Sequence, residues 1–311
     1  MTASPCVLLL LLAAPLSASP LRRHRTAPRQ GIRSVVQRAR ISSSSPDVQN
    51  GERGGEVGVV PRRMMMGGLM ATGMLFGGKG RRSAAEELQQ DETMMEAYFG
   101  CGCFWHVQHE MVELEEKVLS RRGKQLTSLT GYAGGKKLGD GGKVCYHNMR
   151  QVADYGRLGH AEVVNVNIPR SNLKDFSKRY FELFVKYELP GVTIVDRADP
   201  QDKGPEYRSV LGIPGGVRSP MFAEVEAACK EVLGSEWSLM EGHGNEPDTL
   251  LKRRVYVMDS NKFPFHPAEV YHQFHDDFQS PPYGKDYNNL RAVMKKEGRI
   301  SETGCPEGML A

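Results

Sequence analysis

The chain has 311 residues, of which 40% are hydrophobic and 25% charged, the balance of a globular protein and not of a disordered or collagenous one. No run of 18 apolar residues occurs, so the sequence carries no signal for a transmembrane helix. The net charge of +4 is uneven: twelve Arg and one Lys oppose only Asp47, Glu52 and Glu56 in the first 82 residues, whereas the remainder is mildly acidic, which argues for targeting and against nucleic-acid binding.

The first 90 residues read as leader and linker. Residues 7–14 form an apolar core of signal-peptide length, followed by the small residues Ser17, Ala18 and Ser19. Residues 21–45 are rich in Arg and Ser and contain no acid, the composition of a transit peptide. Together they match the two-part leader of plastids acquired by secondary endosymbiosis. Arg62-Arg63 precedes an apolar Met- and Gly-rich run and Ser83-Ala84-Ala85, the pattern of a twin-arginine signal to the thylakoid lumen. The alternative is a long extension without an address.

The body, residues 91–290, alternates strand and helix signals. Glu96–Gly100 is strand-like and ends in Gly-Cys-Gly-Cys. Val107, Met111, Leu114 and Val118 then recur at helical spacing. Thr127–Tyr132 is β-prone and closes in the turn Ala133-Gly134-Gly135. Residues 136–159 read as a long loop. Val164, Val166 and Ile168 alternate with Asn165 and Asn167, a strand stopped by Pro169. Leu173, Phe176, Tyr180 and Phe184 mark an amphipathic helix, with Ser171 as its expected N-cap. A loop from 191 feeds a strand at Arg208–Ile213. Phe222, Val225, Cys229, Val232 and Leu233 give a further helix begun by Ser219-Pro220, and Leu251–Met258 a further strand. Few regular signals follow Gln273, and residues 291–311 read as a flexible tail. One-face strand patterns imply an α+β fold: a two-layer sandwich with a mixed or antiparallel sheet and flanking helices.

Of six cysteines, Cys6 lies in the leader and no CxxC pair occurs. Cys229 falls on a helical core face and reads as an inert buried thiol. Cys101 and Cys103 precede a helix, where free amides and the helix dipole are expected to lower a thiol pKa. Beyond this the chain carries recognisable words. Gly102-Cys103-Phe104-Trp105 matches a GCFW signature. Gly131–Gly135 matches GYAGG, and Gly159–Val164 matches GHAEVV. Asp202, Gly204 and Tyr207-Arg208-Ser209 match a D-x-G-x-x-Y-R-S block. Tyr271-His272-Gln273 and Pro282-Tyr283-Gly284 follow in order. These collinear words over about residues 96–290 resemble the methionine sulfoxide reductase A family.

The resemblance implies a ferredoxin-like α+β fold and thiol-dependent reduction of methionine S-sulfoxide, protein-bound or free. In that reading Cys103 attacks the electrophilic sulfur and becomes a sulfenic acid. Glu162 gives the oxygen its proton, with a pKa raised by an apolar pocket. Tyr207 hydrogen-bonds the oxygen, Asp202 supports the site, and Phe104 and Trp105 enclose the S-methyl group. No cofactor or metal is implied, and the reductant is an external thiol: thioredoxin, glutaredoxin or glutathione. A monomer is expected. His160 reads as structural.

Departures from the family pattern leave choices open. His106 stands where the family has Gly. The tyrosine before Val144-Cys145 is missing, with Tyr146 and Tyr155 as substitutes and Tyr155 preferred for its place beside the GHAE strand. The usual resolving cysteine after Gly284 is absent. Cys305 is the first candidate to resolve Cys103. Direct reduction by an external thiol, Cys101 and Cys145 are the alternatives. Two other functions fit parts of the sequence: a non-catalytic relative that binds Met-rich or oxidised proteins, and a metal protein using His266, His272 and His275 with a cysteine.

Overall fold

Strand β1 (Met94–Gly100) sends alternate side chains to opposite faces, and this period of two organises the molecule. Met95, Ala97 and Phe99 enter the main core, whereas Tyr98 enters a smaller cluster behind the sheet. The computed structural model describes residues 93–278 and 281–306, and the leader over 1–90 lies outside them. After β1 come helix α1 (Phe104–Val118), β2 (Leu129–Ala133), a single turn α2 (Tyr155–Leu158), β3 (Ala161–Pro169) and α3 (Leu173–Glu182). The hairpin β4 (Val185–Leu189) and β5 (Val192–Asp196) leads to β6 (Val210–Ile213), α4 (Phe222–Leu233), β7 (Ser238–Glu241), β8 (Arg254–Asp259), β9 (His266–Pro267) and α5 (Lys285–Lys296).

Seven strands form one sheet in the order β7-β8-β6-β1-β3-β2-β9. β1 pairs antiparallel with β3 and β6, and β2 antiparallel with β3 and β9, while β8 runs parallel to both β6 and β7. The fold is therefore α+β with a mixed sheet, as the one-face strand patterns imply. Val164, Val166 and Ile168 of β3 pack under Val107 and Met111 of α1, Phe176 and Tyr180 of α3, and Val225 and Cys229 of α4. On the other face Ala161, Val163 and Val210 meet Phe263. No helix among the described residues is long and apolar enough to cross a membrane.

Several expectations need correction. Ser171 does not cap α3: it lies inside a 3-10 turn, Arg170–Asn172, that occupies the capping position after Pro169. The stretch from 191 is not simply loop, because β4 and β5 pair there as a two-stranded ribbon. Its side chains are largely exposed on both faces, so no apolar alternation marks it. Val118 ends α1 exposed to solvent. The region after Gln273 contains α5, whose Tyr287 and Met294, one heptad apart, join Val112, Leu126, Phe274 and Ile300 in a third cluster.

Three of the sequence words meet at Arg208, whose side chain is fully buried. Its guanidinium donates to the carbonyls of Gly134 (3.1 Å), Gly159 (3.0 Å) and Pro205 (2.7 Å), and its Nε lies 3.4 Å from Glu246. One cation thus ties the turns after β2, before β3 and before β6. Removing one partner of a buried ion pair costs about 3–5 kcal/mol. We expect Arg208→Met to lose that order of stability in urea denaturation; a loss under 1 kcal/mol would show that the three turns hold without the clamp.

Candidate active site

The start of α1 is capped by carboxyl groups from β3 and from the segment between β5 and β6. Its first amides have no partners within the helix. Cys103 N donates to Asp202 Oδ2 (2.9 Å), and Phe104 N donates to Glu162 Oε2 (3.0 Å). Gly102, between the two cysteines, has φ +73°, and a Cβ there would lie 2.7 Å from Asp202 Oδ2, so this turn requires glycine. Asp202 is positioned by Arg197, a fully buried residue that donates to the Asp202 carbonyl (2.7 Å) and to Asp248 Oδ1 (2.5 Å).

Glu162 stands opposite Tyr132 in the β2–β3 register. It shares the helix-facing side of β3 with Val164, Val166 and Ile168, so its carboxyl enters the core end of an apolar stripe. Burial raises its pKa to about 8, against the opposing hydrogen bonds from Phe104 N and from Tyr155. Tyr155 Oη donates to Glu162 Oε1 (3.0 Å). Both carboxyl oxygens are thus fixed, and the group holds its proton at neutral pH.

Burial, then the charge of Glu162, pushes the Cys103 thiol well above its ordinary value; the Trp105 amide pulls less strongly the other way. The lowered thiol pKa expected from a helix start is therefore corrected. The amides that would stabilise a thiolate are already occupied by two carboxyl groups. Cys101 is buried, and burial pushes its thiol up to about 12. Cys229 is likewise buried in α4 and pushed up to about 11.

Tyr146 and Tyr207 approach the same centre. Burial, and then the charge of Glu162, raises both phenols. Tyr207 also accepts the Gly102 amide on its carbonyl (3.2 Å). Tyr146 and Tyr155 stack with ring centroids 5.7 Å apart, so both candidate tyrosines are present, but the Tyr155 hydroxyl is committed to Glu162. Phe104 packs near Tyr132 and His272 (centroids 6.1 and 5.3 Å), and Trp105 stacks on His275 at 4.1 Å with Phe278 edge-on at 5.3 Å. His106 faces Asp277 (3.5 Å). Cys103, Phe104, Trp105, Tyr146, Tyr155, Glu162, Asp202 and Tyr207 therefore form one neighbourhood.

Cys305 departs from the expected flexible tail. It is buried and disulfide-bonded to Cys145, 160 residues earlier. The histidine metal site also fails: His266 packs edge-on to His160 (5.2 Å), whereas His272 and His275 lie against Trp105. His160 is structural, as expected. Its Nδ1 accepts from Gly135 N (3.3 Å), its Nε2 lies 2.8 Å from the Lys137 carbonyl, and burial lowers its pKa to about 4.

Sequence reasoning missed Arg197 and Glu269. Glu269 accepts Tyr132 Oη and Tyr146 N, both at 2.8 Å, and so fixes the segment that carries Tyr146. Neither residue sits in a recognisable word. Glu269 had one signal, its place just before Tyr271-His272-Gln273.

No family model matches the chain. The peptide methionine sulfoxide reductase MsrA of Geobacter sulfurreducens is 31% identical over 123 residues, which cover 39% of this chain and 62% of that protein. The chain thus spans less than two thirds of the length of this relative. Among solved structures, reduced Mxr1 of Saccharomyces cerevisiae aligns at 18% identity and TM-score 0.36, over 68% of this chain and 90% of its own. Methionine sulfoxide reductase A of Corynebacterium diphtheriae aligns at 14% identity and TM-score 0.34, over 70% and 84%.

Glu162 has a consequence for stability. Its carboxyl ionises near 4.5 in the open chain and at about 8 when folded. Stability from this group is complete below the lower value and declines as pH rises toward the upper one. At pH 7 the folded state must retain a proton at an expense of about 3 kcal/mol, taking 1.36 kcal/mol per pH unit. We expect Glu162→Gln to be more stable than the parent at pH 7.5 and nearly equal to it at pH 4.5. Urea titrations at the two pH values check this; an equal or lower stability of the variant at pH 7.5 overturns the assignment.

Proposed function

We propose that this chain reduces methionine S-sulfoxide, in proteins or free, to methionine. The observation that carries this reading is the Cys103 thiol beside a buried Glu162, whose pKa burial raises to about 8 and which is hydrogen-bonded to the next amide of the chain. A sulfoxide has an electrophilic sulfur and an oxygen that needs a proton to depart from it. Cys103 Sγ attacks that sulfur while Glu162 protonates the oxygen. The attack forms an S–S bond as the S–O bond breaks, and the oxygen leaves as water with one proton from Glu162 and one from the thiol. Water then adds to Cys103 Sγ, the S–S bond breaks with its electron pair going to the substrate sulfur, and methionine departs, leaving Cys103 as sulfenic acid. The proton that this water releases restores Glu162, so the sequence balances without an outside proton.

Tyr146 and Tyr207 donate to the oxygen as its charge develops. Tyr155 is a positioning residue that acts through Glu162, and Asp202 and Arg197 fix the backbone of Cys103. Phe104 and Trp105 supply an apolar wall for the S-methyl group.

Regeneration uses Cys305. Its thiol displaces water from the sulfenic acid and forms a disulfide with Cys103. Cys145 then attacks Cys305, which frees Cys103 and gives the Cys145–Cys305 bond. An external dithiol such as thioredoxin, or glutaredoxin with glutathione, reduces that bond. The protein acts as a monomer in a plastid, with the lumen as its place if Arg62-Arg63 is read as a transfer signal; this rests on the composition of residues 1–90.

Single-turnover assays on both sulfoxide epimers test the chemistry. Product is expected from the S epimer and none with Cys103→Ser. The rate should decline above pH about 8 as Glu162 ionises. Glu162→Gln should be slower by roughly 10²–10⁴ and lack that alkaline limb. Absence of product from either epimer would leave a non-catalytic binding relative, and an undiminished Glu162→Gln would remove the acid. Cys305→Ser should retain single turnover and lose thioredoxin-driven cycling; normal cycling would refute its resolving role.

A further inference from the structure

Outside the reacting centre, one buried cluster combines two sulfurs and a carboxylate. Cys145, Cys305 and Glu269 each place a ligand atom within 4.8 Å of the others, and all three are buried. They are the only such group of three or more His, Cys, Asp or Glu residues among the described residues. Each Glu269 oxygen accepts one hydrogen bond, from Tyr132 Oη or Tyr146 N, which orients the carboxyl and leaves further lone pairs. Outer hydrogen bonds of this kind fix metal-ligating carboxylates.

We infer that the reduced Cys145–Cys305 pair, with Glu269, is a binding site for a thiophilic divalent cation such as Zn²⁺, a site that the disulfide abolishes. Two thiolates and one carboxylate are a ligand set that selects zinc over magnesium or calcium, with water completing a tetrahedron. Lys143 Nζ donates to the Gly304 carbonyl (2.6 Å), which ties the Cys305 segment to the one that carries Cys145. The redox step is explicit. A dithiol reductant gives two electrons and two protons to the Cys145–Cys305 bond and becomes a disulfide itself. The two new thiols then release their protons as they bind the cation. The site follows from this cluster alone and does not depend on the reductase reading. If both hold, bound metal keeps Cys305 away from Cys103.

The experiment uses the full chain, reduced with a phosphine and freed of it without air. Cd²⁺ is titrated while the thiolate-to-metal absorption is followed, and Zn²⁺ is then added as competitor. One equivalent with two thiolate bonds is expected for the reduced protein, and none beyond background for the oxidised protein or for the Cys145→Ser, Cys305→Ser double variant. Glu269→Gln should bind more weakly by roughly tenfold or more. Because Glu269 also holds Tyr132 and Tyr146, a second measurement needs no variant: Zn²⁺ should protect Cys145 and Cys305 of the reduced parent from alkylation, read by mass spectrometry. Cd²⁺ uptake no greater than in the double variant, or equal alkylation with and without Zn²⁺, overturns the site. Neither readout involves sulfoxide turnover, so failure here and failure of the reductase reading are distinguishable.

Discussion

The open amides at the beginning of α1 are the constraint on which the molecule turns. A helix start offers donors that must be met. This one is met by carboxyl groups from β3 and from the segment between β5 and β6, not by a capping side chain of its own. The arrangement sets the spacing between Cys103 and Glu162, draws Asp202 against Gly102, and explains why the thiol is not activated by the helix. The same two contacts build the helix start and the candidate site.

Holding a carboxyl at the end of an apolar stripe opposes folding, and the rest of the structure compensates. A fully buried large apolar side chain contributes about 1.5–3 kcal/mol, so the burden of Glu162 is offset by one or two residues of the Phe99, Val164 and Phe176 kind. Two buried arginines tie the surrounding loops together. Arg208 gathers three turns, and Arg197 ties the Asp202 loop to Asp248 and Thr249. Both act far from any alternating or helical pattern, through contacts with loop residues that no local spacing records.

That distinction decides what was legible beforehand. β1, β3, α1, α3 and α4 were readable because each buries one face and exposes another. β4 and β5 were not readable, since a ribbon exposed on both sides writes no alternation. α5 buries only Tyr287 and Met294, too thin a stripe for periodicity to register. The grouping of Cys103, Glu162, Asp202 and Tyr207 came from the collinear words and not from spacing. The thiol's electrostatics were misjudged because the occupants of the helix amides come from residues 58 and 99 positions away. The partner of Cys305 was hidden for the same reason: no local pattern records a bond that spans half the chain.

That bond joins the ends of a very large covalent ring. With its cysteines 160 positions apart in the sequence, it encloses every strand from β3 onward and all the members of the candidate site except the segment bearing Cys103. In the chain-entropy picture a closure of this size stabilises the fold by up to about 5 kcal/mol. A single proteolytic nick anywhere inside the ring leaves one covalent molecule under oxidising conditions and two fragments under reducing ones. The redox state of the surroundings therefore governs whether a backbone cut within the ring divides this protein.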